Sequence, residues 1–249
     1  MNRRRFVITA ASALLTANTH AETRSRIAII IDDLGYQLAA GRRALELPGP
    51  IAFAVLPETP YGRRLAMLAN EAGREVLLHL PLESVNHEGP AEPGGITLDM
   101  SRGVFGAAFA EAIETVPFAV GVSSHRGSLL TRHPGHMAWL MEEIRAREDL
   151  FFIDSYTTHE SIALQVAREE GVTATRRDVF LDHERTVEAV SREFERLKKK
   201  ARKQGHAVGI GHPFPETLEV LEEQLPLLEE QGFELVTIGK LIRDERNRI

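Results

Sequence analysis

The residues able to do chemistry recur in one position, directly after a short apolar run. Asp32 and Asp33 follow the run 27–31, His79 closes 75–79, and His125 comes three residues after 118–122. Asp154 follows 150–153, Arg177 and Asp178 follow 172–175, and His212 comes two residues after 207–210. Adjacent carboxylates at the end of a buried strand repel each other and are partly desolvated, a state relieved by a bound cation or by unequal pKa values. Neighbours on an extended chain point to opposite sides, so Asp32 and Asp33 are expected to have different tasks; a helix N-cap is the structural alternative. A lone His79 would read as a hydrogen-bonded core histidine. Together with Asp33 and His125 it makes two imidazoles and a carboxylate, a set that a divalent ion such as zinc accepts in an open catalytic site. Glu83, four residues after His79, is a further ligand, a supporting carboxylate or a solvated loop acid. His212 stands in Gly209-Ile210-Gly211-His212-Pro213, where glycines let backbone approach a ligand, and an imidazole there suits a general acid.

Eight apolar runs must position these groups: 27–31, 51–56, 75–79, 118–122, 150–153, 172–175, 207–210 and 234–238. They lack polar alternation, as parallel strands covered on both faces do. Amphipathic stretches at 37–47, 60–72, 101–115, 135–148, 159–170, 184–204, 215–231 and 239–246 alternate with them and read as helices. Glycines at 73, 171, 205 and 232 stand where a helix C-terminus wants them. Eight right-handed βα units predict an α/β protein, a closed (β/α) barrel of a single domain with its active site at the carboxyl ends of the strands. An open doubly wound sheet is the alternative, but Asp32-Asp33-Leu34-Gly35 is not the glycine-rich phosphate loop that fold would want. The Pro- and Gly-rich stretch 84–98 is expected to lie over the site.

Of the 249 residues, 43% are hydrophobic and 27% charged, an ordinary globular composition. A formal charge of −6 argues against nucleic-acid binding. With no cysteine, disulfides, thiol catalysis and iron–sulfur chemistry are excluded. Arg3-Arg4-Arg5, an apolar stretch from Phe6 to Leu15 and small residues up to Ala21 read as a signal peptide over 1–21, with a twin-arginine or a general secretory signal both fitting. The mature domain, 22–249, then carries 27 basic and 36 acidic residues, a charge of −9. It is expected to be exported, periplasmic or extracellular, with no stable membrane anchor after cleavage.

Seven segments together resemble one family: 29–35 (Ile-Ile-Ile-Asp-Asp-Leu-Gly), 53–57 (Phe-Ala-Val-Leu-Pro), 75–83 (Glu-Val-Leu-Leu-His-Leu-Pro-Leu-Glu), 121–128 (Gly-Val-Ser-Ser-His-Arg-Gly-Ser), 151–155 (Phe-Phe-Ile-Asp-Ser), 177–182 (Arg-Asp-Val-Phe-Leu-Asp) and 209–213. They are similar to the divergent polysaccharide deacetylases, the YibQ-like branch of the carbohydrate esterase deacetylases. The resemblance implies a NodB-like deformed (β/α) barrel and a metal-dependent amidase. It implies Asp32 as base, Asp33 as metal ligand, His79 as the first histidine of a two-histidine motif, and His212 as acid. Where that motif keeps its second histidine this chain has Glu83, so His125 is expected to supply the missing imidazole. Asp154 is then the expected orienting partner of His212, and Arg177, Asp178, Glu83 and Ser124 are candidate substrate contacts. The implied reaction removes N-acetyl groups from an envelope or extracellular glycan. A non-catalytic, metal-containing glycan-binding or scaffold protein is the competing reading, and a metal-free glycosidase using Asp32 and Asp154 is a third.

Overall fold

The computed structural model describes residues 24–86, 91–147 and 149–246. The expected signal peptide lies outside the described residues. Nine parallel strands form one sheet: β1 (Ser25–Leu34), β2 (Ala52–Val55), β3 (Glu75–Leu82), β4 (Ala119–Arg126), β5 (Phe151–Asp154), β6 (Ala174–Arg176), β7 (Val179–Phe180), β8 (His206–Gly211) and β9 (Phe233–Leu235). The helices are α1 (Leu38–Leu45), α2 (Gly62–Glu71), α3 (Arg102–Thr115), α4 (Pro134–Arg145), α5 (Ala163–Glu169), α6 (Val187–Gln204), α7 (Pro215–Gln224) and α8 (Ile238–Arg246). Each falls within or close to a stretch expected from the sequence. Gly73, Gly171, Gly205 and Gly232 all have φ between 68° and 85°, the left-handed conformation that ends a helix cheaply only at glycine.

The hydrogen-bonded order is β6-β5-β4-β3-β2-β1-β8-β7, with β9 on the first residues of β1. This is the expected deformed (β/α) barrel, with nine strands among the described residues where the apolar runs suggested eight. The sheet is curled, and its two ends meet through the chain itself. Arg177 N–H donates to Asp154 O at 3.0 Å and the next N–H, of Asp178, donates to Val208 O at 2.9 Å. One extended segment thus pairs with β5 through β6 and with β8 through β7. The two-residue β7 lies in an apolar run of only three, Val179-Phe180-Leu181, too short for periodicity to reveal it.

Strand parity divides the core. Ile27, Ile29, Ile31, Phe53, Val55, Val76 and Leu78 pack outward in the cluster that includes the helices' apolar residues. Ala28, Ile30, Leu77, Ile153, Val208 and Ile210 pack inward, together with Ile238, Leu241 and Ile242 of α8. Glu75 accepts from Gly239 N–H, and Arg26 pairs with Asp244, so α8 closes the amino end of the barrel. The interior is filled with side chains and leaves only the carboxyl end for a site.

Candidate metal centre and active site

The inward parity of β1, β3 and β8 continues past the apolar residues into Asp32, His79 and His212. Asp33 would point away on a regular strand, but its φ is 60° and the β1–β2 register shifts between Ile31 and Leu34. Aspartate tolerates this left-handed conformation better than most residues. As a result the expected divergence of the two carboxylates does not occur: Asp32 Oδ2 lies 3.5 Å and Asp33 Oδ1 3.2 Å from the same His79 Nε2. The two do open onto different cavities, Asp32 onto one of about 290 Å³ and Asp33 onto one of about 600 Å³.

Gly121 and Ser123 of β4 are in register with the inward Phe151 and Ile153, so two residues on His125 also points inward. Its Nδ1 lies 2.9 Å from Asp33 Oδ1 and 3.1 Å from His79 Nε2. Asp33 Oδ1, His79 Nε2 and His125 Nδ1 therefore form a triangle with sides near 3 Å. Donors about 2 Å from one divalent ion stand roughly this far apart. Ser123 Oγ lies 2.7 Å from His79 Nδ1, fixing the ring with Nε2 toward the carboxylates. Asp32 Oδ1 and Asp33 Oδ1 are both buried without a geometrically sound hydrogen bond, although imidazoles crowd Asp33. The three ligands proposed from sequence are thus assembled, and the donor set fits a cation.

The electrostatics of the two carboxylates differ. Burial pushes Asp32 up from the ordinary carboxylate range, against the lowering fields of His79, His212 and His125. Burial also pushes on Asp33, but the close approach and positive fields of His125 and His79 outweigh it and hold Asp33 well below that range. His79 is raised: burial opposes its charge, while Asp32 and Asp33 favour it more strongly.

His212 lies between Phe180 and Phe214, with ring centroids 5.4 and 5.3 Å away. Its Nε2 faces Asp33 Oδ2 at 3.5 Å. Its Nδ1 is held by Asp182 Oδ1 at 2.9 Å, not by Asp154. Asp182 Oδ2 accepts from the His212 backbone N–H at 2.6 Å and from Thr217 Oγ1 at 2.7 Å. A Cβ on Gly211 would come within 2.9 Å of Thr217 Cγ2 and 3.2 Å of Asp182 Oδ2, so glycine there makes room for this buried carboxylate. Burial lowers the His212 pKa, but the Asp182 hydrogen bond and the charges of Asp182, Asp33 and Asp32 raise it further than burial lowers it.

Other expected site residues are engaged elsewhere. Asp154 shares the outward parity of Phe152; its carboxylate accepts from Ser161 Oγ at 2.7 Å and Tyr156 N–H at 2.8 Å. It therefore faces the segment before α5, and Asp32 and Asp154 are not assembled as a glycosidase pair. Glu83 Oε2 accepts from Leu98 N–H at 2.7 Å, securing the loop after β3 rather than the metal triangle. Asp178 accepts from Val208 N–H at 2.9 Å and Gln204 at 3.0 Å, securing the β7–β8 closure. Ser124 and Arg177 do line the 290 Å³ cavity; Ser124 Oγ accepts from Ser155 N–H at 3.1 Å, and Arg177 donates to Ser155 O at 2.6 Å and Tyr156 O at 2.8 Å.

Two residues without a role in the sequence reading enter the site. Asp182 stands two residues after the inward-facing Phe180, a parity signal hidden by the shortness of β7. Glu92 comes from the loop at 84–98: it reaches His125 Nε2 at 3.1 Å and Arg126 at 2.8 Å. The loop thus touches the site as expected, but nothing periodic in it singles out Glu92.

The sequence profile of the divergent polysaccharide deacetylases matches residues 29–242. The chain is 37% identical over 235 residues to an uncharacterized protein of Haemophilus influenzae, covering 94% of this chain and 82% of that one. It is 34% identical over 215 residues to the uncharacterized protein YibQ of Escherichia coli K12, covering 86% and 67%. Among solved structures, an uncharacterized protein of Agrobacterium tumefaciens C58 superposes with a TM-score of 0.83 at 22% identity, over 88% of this chain and 89% of that one. The catalytic domain of a peptidoglycan N-acetylglucosamine deacetylase from Eubacterium rectale gives 0.55 at 15% identity, over 90% and 93%. A CE4 family pseudoenzyme from Bacillus anthracis gives 0.53 at 15% identity, over 88% and 66%. The fold is the NodB-like α/β fold of these deacetylases, and the chain belongs to the divergent polysaccharide deacetylase family.

Proposed function

We propose that this protein is a metal-dependent hydrolase that removes N-acetyl groups from an envelope or extracellular glycan. The observation that carries this reading is the convergence of Asp33 Oδ1, His79 Nε2 and His125 Nδ1 beside a buried Asp32 and a carboxylate-held His212. Asp33, His79 and His125 would hold the ion. A divalent cation such as zinc there would supply a Lewis acid for the acetamide carbonyl and lower the pKa of a water. Asp32, raised by burial and free at Oδ1, is placed to accept a proton from the attacking water. His212, its pKa raised on balance by Asp182, would donate a proton from Nε2 to the departing amine. Asp182 holds Nδ1–H and so fixes the tautomer and the ring plane. Arg177 and Ser124 line the cavity beside these groups and are placed to contact the sugar. A signal sequence at 1–21 would bring the domain to such a glycan. Among the described residues no helix is long and apolar enough to cross a membrane.

The test is metal analysis of protein purified without chelator, followed by acetate release from a panel of N-acetylated glycans. We expect one divalent ion per chain and turnover. Asp32→Asn keeps the size of the side chain but removes the proton acceptor; it should retain the metal and lose about 10²–10⁴ in rate. An Asp32→Asn protein as fast as the wild type would overturn the assignment. Glu83 at the family's second-histidine position, and a neighbour described as a pseudoenzyme, support the competing reading of a metal-containing glycan-binding protein. That reading wins if the metal-loaded wild type binds acetylated glycans yet frees no acetate from any of them.

A further inference from the structure

Three arginines around the mouth of the site are stacked on aromatic rings. Arg176 Cζ lies 4.6 Å from the Tyr156 centroid, Arg177 Cζ 4.9 Å from Phe180, and Arg185 Cζ 3.6 Å from Phe214. Phe180 and Phe214 are the two rings that enclose His212. Arg176 and Arg177 line a cavity of about 280 Å³ that shares Arg177 and Phe180 with the 290 Å³ cavity holding Asp32 and His79. Arg185 and Phe214 line the 600 Å³ cavity onto which Asp33 opens. The stacked cations therefore stand on both sides of His212.

None of the three is ion-paired among the described residues, although the chain as a whole is acidic. Asp178 is engaged by Val208 N–H and Gln204 and Glu193 by Arg196 at 3.0 Å, while Asp154, whose field reaches both Arg176 and Arg177, accepts from Ser161 Oγ and Tyr156 N–H instead of from either guanidinium. Arg43, beside Arg185, is taken by Glu222 at 2.9 Å. Arg177 is fixed further, since its Nε and Nη2 donate to Ser155 O and Tyr156 O. A guanidinium laid on an aromatic face loses little freedom when it binds, and its N–H edge matches planar or tetrahedral oxyanions. Hydroxyls and acetamides of a neutral glycan do not need such groups. Cations held on rings rather than in direct ion pairs along a substrate groove attract an anion and reject a second cation.

We propose that the glycan strand recognised here is anionic. Sugars flanking the acetylated residue carry carboxylate or phosphate groups, which seat on Arg176 and Arg177 to one side of His212 and on Arg185 to the other. The inference rests on the deacetylase reading for the sugar at the centre, but its test reads binding and not turnover.

The metal-loaded wild type would be titrated calorimetrically with three forms of one N-acetylated tetrasaccharide. The first carries 3-O-lactyl carboxylates on alternate residues, the second carries the same groups as methyl amides, and the third carries phosphodiesters in their place. At least one anionic form should bind about tenfold or more tighter than the amide at low salt, with the gap narrowing as salt rises. The tighter of the two anionic forms identifies the anion. Arg176→Gln and Arg185→Gln should each reduce the preference roughly fivefold or more while leaving amide binding and Tm unchanged. Equal affinity for acid and amide, no binding of either anionic form, or a preference that survives in both variants would each overturn the proposal. Acetate release is scored separately: an anion-selective protein that never frees acetate keeps this inference and loses the deacetylase assignment.

Discussion

The two ends of the barrel are built from the same strands and use charge in opposite ways. β1 begins near Arg26 and runs to Asp32, β3 runs from Glu75 to His79, and β8 runs from His206 toward His212. At the amino end each of these groups finds a partner on α8: Arg26 with Asp244 at 2.7 Å, a carboxylate that Lys240 also reaches at 2.8 Å, Glu75 with Gly239 N–H at 3.1 Å, and His206 with Glu245. At the carboxyl end Asp32, Asp33 and three imidazoles crowd one another, with Asp182 behind His212 and Glu92 behind His125. Orphan atoms do not separate the two ends, since Arg26 Nη2 and Glu245 Oε1 also lack hydrogen bonds. Convergence does separate them: only the carboxyl-end groups named here gather around one point. A buried charge paired with one helix residue holds the fold together; a buried cluster whose members all face the same point leaves room for a further charge among them.

The sharpest way to probe this end without touching the Asp33–His79–His125 triangle is Glu92→Gln. Glu92 faces the nitrogen of His125 that does not belong to the Asp33–His79 triangle, a position from which a carboxylate orients a ligating ring and raises its basicity. Glutamine keeps the size and removes the charge. Affinity for zinc, measured against a competing chelator, should fall by about 10–100-fold, with the melting temperature of the metal-free protein unchanged. Unaltered affinity would make Glu92 a loop fastener through Arg126 only.

Much of this arrangement can be read from the sequence because a strand repeats every two residues. Ala28, Ile30 and Asp32 fall on one face, as do Leu77 and His79, and Val208, Ile210 and His212. The same rule, applied to Phe152 and Asp154, separates Asp154 from the pocket, and proximity to a strand end alone obscures that. Asp33 obeys no periodicity, because its left-handed backbone is a local bulge, and only the adjacency of two carboxylates hints at it. Asp182 follows a strand of two residues in an apolar run of only three, too short to show a periodicity. Glu92 acts from an irregular loop where no repeat constrains side-chain direction. The strand–helix alternation shows in burial, whereas the closure through Arg177 and Asp178 depends on backbone hydrogen bonds that composition does not encode.

Asp182→Asn sharpens the contrast within the upper end itself. His212 must carry its proton to act as an acid, so kcat should fall as pH rises through the His212 pKa. Burial lowers that pKa, and the Asp182 contacts head the opposing effects. Removing the Asp182 charge leaves burial less opposed, so the basic limb of the kcat profile should move to lower pH, with KM little changed and the metal retained. A basic limb that stays in place would mean that another group sets it.

At the amino end, Asp244→Ala should have the smallest effect on function and a clear one on stability. Arg26 is buried, and the substitution leaves its guanidinium without the carboxylate that compensates it. Breaking a fully buried pair costs about 3–5 kcal/mol. The Asp244 side chain is 38% exposed, so water already screens part of the interaction and about 1–3 kcal/mol is expected. Denaturant unfolding measures this loss, while metal content and acetate release at a permissive temperature should match the wild type. If Asp244→Ala instead lowered metal affinity, the two ends would be coupled through the interior that α8 plugs. The division between a structural end and a ligand-binding end would then fail.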